Sequence, residues 1–320
     1  MMPVRDSVKK IAILVPTALL PRPWRVTARR KLLSNLELAI ANRAGLLIIG
    51  HPKSGNTWLK VMLARLYQVR HGLEASALIG SDELALRNPA IPRLAATNAW
   101  YSYEGSVGKV LASGAADAPL RHKPVLLLAR NPIDIAVSWF FQFTKRQSAH
   151  KQELINDFID HPIDRHTVTL WDFVRYSDIG LPFLINYLNT WEHNLRQLDH
   201  SLLLRYEDLR ADPAATLKQV TCLMGEDFSA AEITEAVEFG SFDNLRKLET
   251  SGFFRRGGMR LHNAKDPNTF KTRRGKVGGY PDYFEPEQVR ELDDLMMQHL
   301  SPTFGYQPSD DRGQDVQPSP

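Results

Sequence analysis

The sequence predicts an α/β protein, a three-layer, doubly wound and mainly parallel sheet. Three observations predict it: near-continuous apolar runs of strand length, a helix with a readable start after each run, and a glycine-bent turn between the first run and its helix. The runs are Ala44 to Gly50 (AGLLIIG), Pro124 to Arg130 (PVLLLAR) and Ser201 to Tyr206 (SLLLRY). Apolar runs without polar alternation suit strands buried on both faces, as in a parallel sheet covered by helices.

Each run leads to a helix. Thr57 to Tyr67 places apolar residues at 58, 61, 62 and 66, the helical period. Asn131 and Pro132 supply N-cap and N1 of the next helix, and Asp212 and Pro213 do the same for the third. Gly225 fits the C′ position that ends this third helix, and Cys222 just before it reads as a packed thiol. Strand, turn and helix repeated three times argue a doubly wound fold. The predicted organisation is an N-terminal extension over 1–42, one enzymatic domain over 43–306, and a disordered polar tail over 307–320.

The 320 residues are 43% hydrophobic, enough for one large core. Forty Lys and Arg against 36 Asp and Glu leave a net charge of only +4, which does not suggest bulk nucleic-acid binding. A single cysteine excludes an internal disulfide framework and a thiolate zinc site, and fits a reducing cytoplasm. Near the start, Lys9 and Lys10 precede an apolar run, Ile11 to Leu20, followed by Arg22, Arg25, Arg29, Arg30 and Lys31. Pro16 interrupts the run and no small-x-small cleavage site follows, unlike a signal peptide. The run is also short of the roughly 20 residues that span a bilayer. Two readings stay open: a segment capping the domain, or a peripheral membrane contact made of an apolar wedge and a basic flank.

The turn after the first run reads GHPKSGNTW, Gly50 to Trp58. It keeps the G-x-x-x-x-G spacing and the closing hydroxyl of a Walker A loop, but Asn56 stands where the lysine belongs and Lys53 lies inside the loop. This is a P-loop-like phosphate-binding loop. Backbone N–H groups of Ser54, Gly55, Asn56 and Thr57 and the following helix N-terminus suit an anion. The second run ends in Arg130, where an NTPase carries an acid for magnesium. An anionic donor handled without metal is therefore expected, with no metal site.

These residues resemble one family. HPKSGNTW is similar to the P-K-S-G-T-T-W loop of the sulfotransferases that use 3′-phosphoadenosine-5′-phosphosulfate (PAPS), with Asn56 replacing the first threonine. LLLARNPIDIAVSWF (126–140), RYEDLRADP (205–213), FGSFDNLRKLE (239–249) and TRRGKVGGY (272–280) resemble their later segments, in the family's order. The resemblance covers about residues 44 to 306. It implies sulfuryl transfer from PAPS to a hydroxyl or amine of a small-molecule, carbohydrate or lipid acceptor. By the same match, Arg130 and Ser138 bind the 3′-phosphate, and Trp58 and Tyr206 lie near adenine. Ser241 and Phe242 contact the nucleotide, and Arg273, Arg274 and Gly275 close over the 3′-phosphate. Lys53 is the implied catalytic cation, neutralising charge on the oxygen that bridges sulfur and the 5′-phosphate.

The family's usual histidine base has no counterpart here. Tyr103 falls at its place, and Glu104 beside it is the candidate base, since some relatives use glutamate. His51 and His122 read as loop-ordering residues. Two rivals remain at this level: a P-loop kinase or NTPase using Glu207 and Asp208, and a non-catalytic PAPS-binding module. Trp100, Tyr101, Tyr103, Phe140, Phe141 and Phe143 are expected to supply an apolar or sugar-stacking acceptor wall, and Arg255, Arg256 and Arg260 to help frame an anionic site.

Overall fold

The computed structural model describes residues 5–75, 83–98, 120–254, 259, 270–272 and 275–309, and all structural statements concern these. Four parallel strands, β1 (Leu46–Ile49), β2 (Leu94–Thr97), β3 (Val125–Ala129) and β4 (Ser201–Arg205), form one sheet in the order β2-β1-β3-β4. The helices are α1 (Asp6–Thr17), α2 (Arg22–Asn42), α3 (Asn56–Arg70), α4 (Glu83–Arg87), α5 (Pro132–Lys145), α6 (Ala149–Phe158), α7 (Leu170–Arg175) and α8 (Leu181–Leu195). After β4 come α9 (Tyr206–Ala211), α10 (Pro213–Leu223), α11 (Ala230–Phe239), α12 (Phe242–Thr250) and α13 (Pro286–His299).

Alternate strand residues reach opposite layers, which is why the apolar runs are unbroken. Leu46, Ile48, Leu126 and Leu128 pack with Leu59, Met62 and Leu66 of α3 and with α10 and α11. Leu47, Ile49, Val125 and Leu127 pack on the other face against Tyr187, Leu188 and Trp191 of α8 and Ala41 of α2. The strand order reverses between β1 and β3, so a crevice opens beyond their carboxyl ends, where open α/β sheets bind ligands.

The three expected strands form. The fourth, β2, carries no signal in LAAT, four residues with two alanines that pair fully with β1. The caps behave as expected: Asn131 Oδ1 accepts from the Ile133 and Asp134 amides, and Asp212 Oδ1 accepts from the Ala215 amide. Gly225, at φ +70°, ends α10. Cys222 departs from expectation. It is exposed, because α10 buries Leu217, Val220 and Thr221, and the next residue turns 100° toward solvent.

The N-terminal helices pack on the domain. Arg25 and Arg29 both pair with Glu153 of α6, at 2.5 and 2.9 Å, and Val26 and Leu33 pack with Leu154. Pro16 does not break α1; it sits in its last turn, next to the end at Thr17. No described helix is long and apolar enough to cross a membrane.

Candidate functional site

The turn between β1 and α3 is held by its own residues. Lys53 (φ +88°) and Gly55 (φ +106°) adopt left-handed backbone. Glycine is required at 55, since a Cβ there would sit 2.7 Å from the Tyr206 ring. A lysine at positive φ carries strain of order 1 kcal/mol, the kind that surrounding structure holds in place at functional sites. Asn56 donates its side-chain amide to the Gly50 carbonyl at 2.8 Å, tying the two ends of the turn together. The residue at the Walker lysine position thus closes the loop. α3 has no side-chain cap, and Gly55, Asn56, Thr57 and Trp58 at its start all line one cavity, so its positive end faces that space.

Arg130 links the motifs. From the end of β3 its guanidinium donates to the Lys53 carbonyl at 3.1 Å and to the Lys276 carbonyl at 3.4 Å. It lies 4.5 Å above the Tyr206 ring and 3.5 Å from the Asp134 carboxylate. Its Nε is buried and has no hydrogen-bond partner among the described residues, a donor suited to an anion. Asp134 in turn accepts from the amides of Gly278, Gly279 and Tyr280 at 2.8, 3.0 and 3.1 Å, fastening the late glycine loop to α5. Sequence reasoning missed Asp134. As an acid in the first turn of a well-capped helix it reads as a complement to the helix dipole, and nothing local signals its partners 144 residues on.

Aromatic rings form the rest of this end. Trp58 donates its indole N–H to the Gly240 carbonyl at 2.7 Å and meets Tyr206 edge-on at 5.8 Å. Gly275, at φ +62°, lets the late loop lie against Phe242; a Cβ there would come within 2.8 Å of that ring.

Lys53, Arg130, Ser138, Trp58, Tyr206 and Phe242 therefore line a single cavity of about 420 Å³, together with Gly275. Ser54 is buried within the turn, and its hydroxyl has no partner among the described residues. Ser241 stands outside the lining as the exposed N-cap of α12, accepting from the Asn244 amide at 3.4 Å. Glu104, Arg273, Arg274, Arg255, Arg256, Arg260, Trp100, Tyr101, Tyr103 and most of the tail lie outside the described residues.

The aromatic acceptor wall expected from α5 faces elsewhere. Phe143 is fully buried with Trp139 and Phe173, Phe140 packs on Phe173, and Phe141 packs on Tyr283. The helical period instead brings Asp134, Ser138 and Gln142 to the cavity, and Arg146 follows one turn on.

The histidines and the acids after β4 have other partners. His51 is enclosed by Trp139, Phe183 and Tyr187, donates from Nδ1 to the Pro52 carbonyl at 2.9 Å, and is held neutral because burial lowers it to about 3. His122 pairs with Asp199 in front of β3, at the sheet end opposite Arg130. Glu207, pushed up by burial, accepts from the Asn131 amide and the Tyr306 hydroxyl, while Asp208 pairs with Arg205 at 2.6 Å. No histidine or glutamate lines the cavity among the described residues.

Comparison with known proteins shows what the chain as a whole is similar to. A family model for the sulfotransferase domain matches residues 118–304. Cytosolic sulfotransferase 5 of Arabidopsis thaliana is 25% identical over 275 residues, covering 80% of this chain and 79% of that protein. Cytosolic sulfotransferase 14 of the same plant is 26% identical over 277 residues, covering 78% and 73%. Among solved structures, retinol dehydratase in complex with androsterone and the inactive cofactor PAP superposes with a TM-score of 0.51 at 16% identity, over 82% of this chain and 84% of that one, a likeness of fold.

Proposed function

The chain belongs to the sulfotransferase domain family and is a sulfuryl-transferring enzyme; on that premise we propose that PAPS is held in the cavity between β1 and β3. The observation that carries the reading is the convergence on one cavity of Lys53, from the turn after β1, with Arg130 and Ser138, from the end of β3 and the helix that follows it. Bound there, PAPS supplies the sulfuryl group and leaves as its desulfated nucleotide, PAP. The first turn of α3 and Lys53 face the phosphosulfate end, Arg130 and Ser138 hold the 3′-phosphate, and Trp58, Tyr206 and Phe242 enclose the adenine. Arg273 and Arg274, beside Gly275, complete the 3′-phosphate site.

In the reaction an acceptor oxygen or nitrogen bonds to sulfur as the bond from sulfur to the 5′-phosphate oxygen breaks. The Lys53 ammonium neutralises the charge left on that oxygen. The acceptor proton goes to a base, and Glu104 is the proposed one. In support, β2 leaves the sheet at the cavity wall, where Asn98 lines it six residues before Glu104. Glu104→Gln is expected to lower kcat by about 10²–10³ with unchanged PAP affinity, and to remove the acidic limb of the pH–rate profile. An unchanged rate and profile would remove Glu104 from the reaction.

The N-terminal helices are proposed as a peripheral membrane contact of a cytosolic enzyme. Val8, Ile11, Val15 and Leu19 form one exposed stripe along α1 and beyond it, continued by Trp24, with Leu19 89% and Trp24 73% exposed. Exposed Arg5, Arg22 and Lys31 accompany the stripe, while the one acid before Glu37, Asp6, is buried, so the charge favours an anionic lipid surface. Co-sedimentation with phosphatidylserine-containing vesicles is expected for the wild type and not for Val15→Asp/Trp24→Ser. Failure of the wild type to sediment, or equal sedimentation of both proteins, would refute the contact.

A further inference from the structure

One buried carboxylate sits where local rules oppose it. Glu249 lies in the last turn of α12, where the helix dipole disfavours negative charge, and only 1% of it is exposed. Desolvating a carboxylate is costly unless it is paired and hydrogen-bonded throughout. Glu249 meets that condition. It pairs with Arg146 at 3.7 Å, and it accepts from the Lys271 amide at 2.6 Å and from the Thr272 amide and hydroxyl at 3.0 and 2.7 Å. Packing alone gives no reason for it, since an apolar side chain of similar volume often fills such a place as well as a buried ion pair. What an apolar side chain cannot do is accept three hydrogen bonds from the segment that opens the late loop.

This segment leads into one wall of the cavity, which Lys271, Thr272, Gly275, Lys276, Gly279 and Tyr280 all line. Three of the six residues from 275 to 280 are glycines, and Gly275 and Gly278 both stand at φ +62°. Glycine loses more conformational freedom on ordering than any other residue, so such a loop needs anchors to keep one shape. It has them at both ends. Asp134 holds the amides of Gly278, Gly279 and Tyr280, and Glu249 holds Lys271 and Thr272. Arg246, one turn before Glu249 on α12, strengthens the second anchor. Its guanidinium donates to the Thr272 carbonyl at 2.8 Å and lies 3.5 Å above the Phe270 ring. Between the anchors, the Lys276 carbonyl accepts from Arg130 at 3.4 Å. The same helix begins at Phe242, the ring on which Gly275 rests. Nine residues of α12 therefore carry an aromatic ring of the cavity at their start and the anchor of the late loop at their end.

Resting on the sulfotransferase reading, we propose that Glu249 is a positioning residue for donor recognition. It holds the late loop in its binding shape before the nucleotide arrives, so that the Lys276 carbonyl keeps Arg130 aimed at the 3′-phosphate. Preorganisation of this kind raises affinity by removing the ordering that binding would otherwise require. The effect is confined to the 3′-phosphate, because the phosphosulfate end is held by the turn after β1, which Glu249 does not touch.

Calorimetric titration with PAP and with adenosine 5′-phosphate, which lacks the 3′-phosphate, tests this. The wild type is expected to prefer PAP by about 100-fold or more. Glu249→Gln keeps the shape, but its amide nitrogen cannot accept and its oxygen carries no charge. The variant is expected to lower that preference about 10–30-fold, all of it in PAP affinity, with adenosine 5′-phosphate bound within about twofold of wild type. KM for PAPS is expected to rise in step while kcat holds. Hydrogen exchange without nucleotide reads the anchor directly. The Lys271 and Thr272 amides are expected to be protected in the wild type and to exchange about tenfold faster or more in the variant. A folded Glu249→Gln protein that keeps its preference, one that loses both affinities equally, or wild-type Lys271 and Thr272 amides that exchange freely overturns the proposal. If that variant does not fold, Thr272→Val decides, since it deletes one bond to the carboxylate and leaves the Arg146 pair. A loss of about threefold in the preference is then expected, and an unchanged ratio refutes positioning by Glu249. A wild type that prefers neither nucleotide would overturn the 3′-phosphate reading and this proposal with it, whereas a preference present in the wild type and retained in the variant removes this proposal alone.

Discussion

Lys53→Ala is expected to fold and to bind PAP, yet to transfer sulfuryl groups about 10²–10³ times more slowly. The backbone at Lys53 already lies at φ +88°, and alanine is no better suited to that conformation than lysine, so the turn keeps its shape and its strain. What disappears is the cation proposed to neutralise the leaving oxygen. Lys53→Gly separates the two contributions. Glycine accepts positive φ freely and is expected to stabilise the fold by about 1 kcal/mol, while turnover falls as far as in the alanine variant. Thermal unfolding and kcat with labelled PAPS are the paired measurements. A glycine or alanine variant turning over at near the wild-type rate would show that Lys53 is a loop residue without part in the chemistry.

Arg130→Ala is expected to cost about 10²–10³ in PAP affinity. The guanidinium touches four partners at once: the carbonyls of Lys53 and Lys276, the Tyr206 ring and the Asp134 carboxylate. Its removal therefore takes away the proposed phosphate donor and loosens both loops that flank the site. Arg130→Lys keeps the charge but lacks the planar fork, so it can satisfy one carbonyl only, and an intermediate loss of roughly tenfold is expected. Calorimetric titration with PAP gives both values. A dissociation constant within threefold of wild type for the alanine variant would place the 3′-phosphate elsewhere.

Much of this was legible in the sequence, for physical reasons that differ from element to element. The three apolar strands announced themselves because a sheet covered on both faces needs apolar residues at every position. β2 did not, because LAAT, with two alanines and a threonine in four residues, carries no strong apolar run and takes its place only by pairing with β1. The phosphate loop was legible because a tight turn needs glycine at fixed spacing, and Gly55 has no room for a Cβ. Cys222 was misplaced because burial within a helix depends on the phase of the turn, and its neighbours Val220 and Thr221 hold the inward positions. The aromatic wall expected of Phe140, Phe141 and Phe143 failed on the same ground: composition suggested a lining, and rotation about the α5 axis decided which side chains form it.

Chain-local chemistry, then, determined the layered α/β architecture, the anion-binding turn with its early lysine, and the order of the motifs along the chain, since each is a matter of spacing between near neighbours. Only the tertiary structure decided what those motifs do together. Asp134 holds the Gly278 to Tyr280 amides, Arg130 reaches Lys276, and Glu249 pairs with Arg146, all across separations of about a hundred residues or more, while the same Glu249 accepts from the Lys271 amide 22 residues on. Such contacts leave no periodic trace in a sequence, because charge and hydrogen bonding act through space, and the fold alone sets which side chains share it.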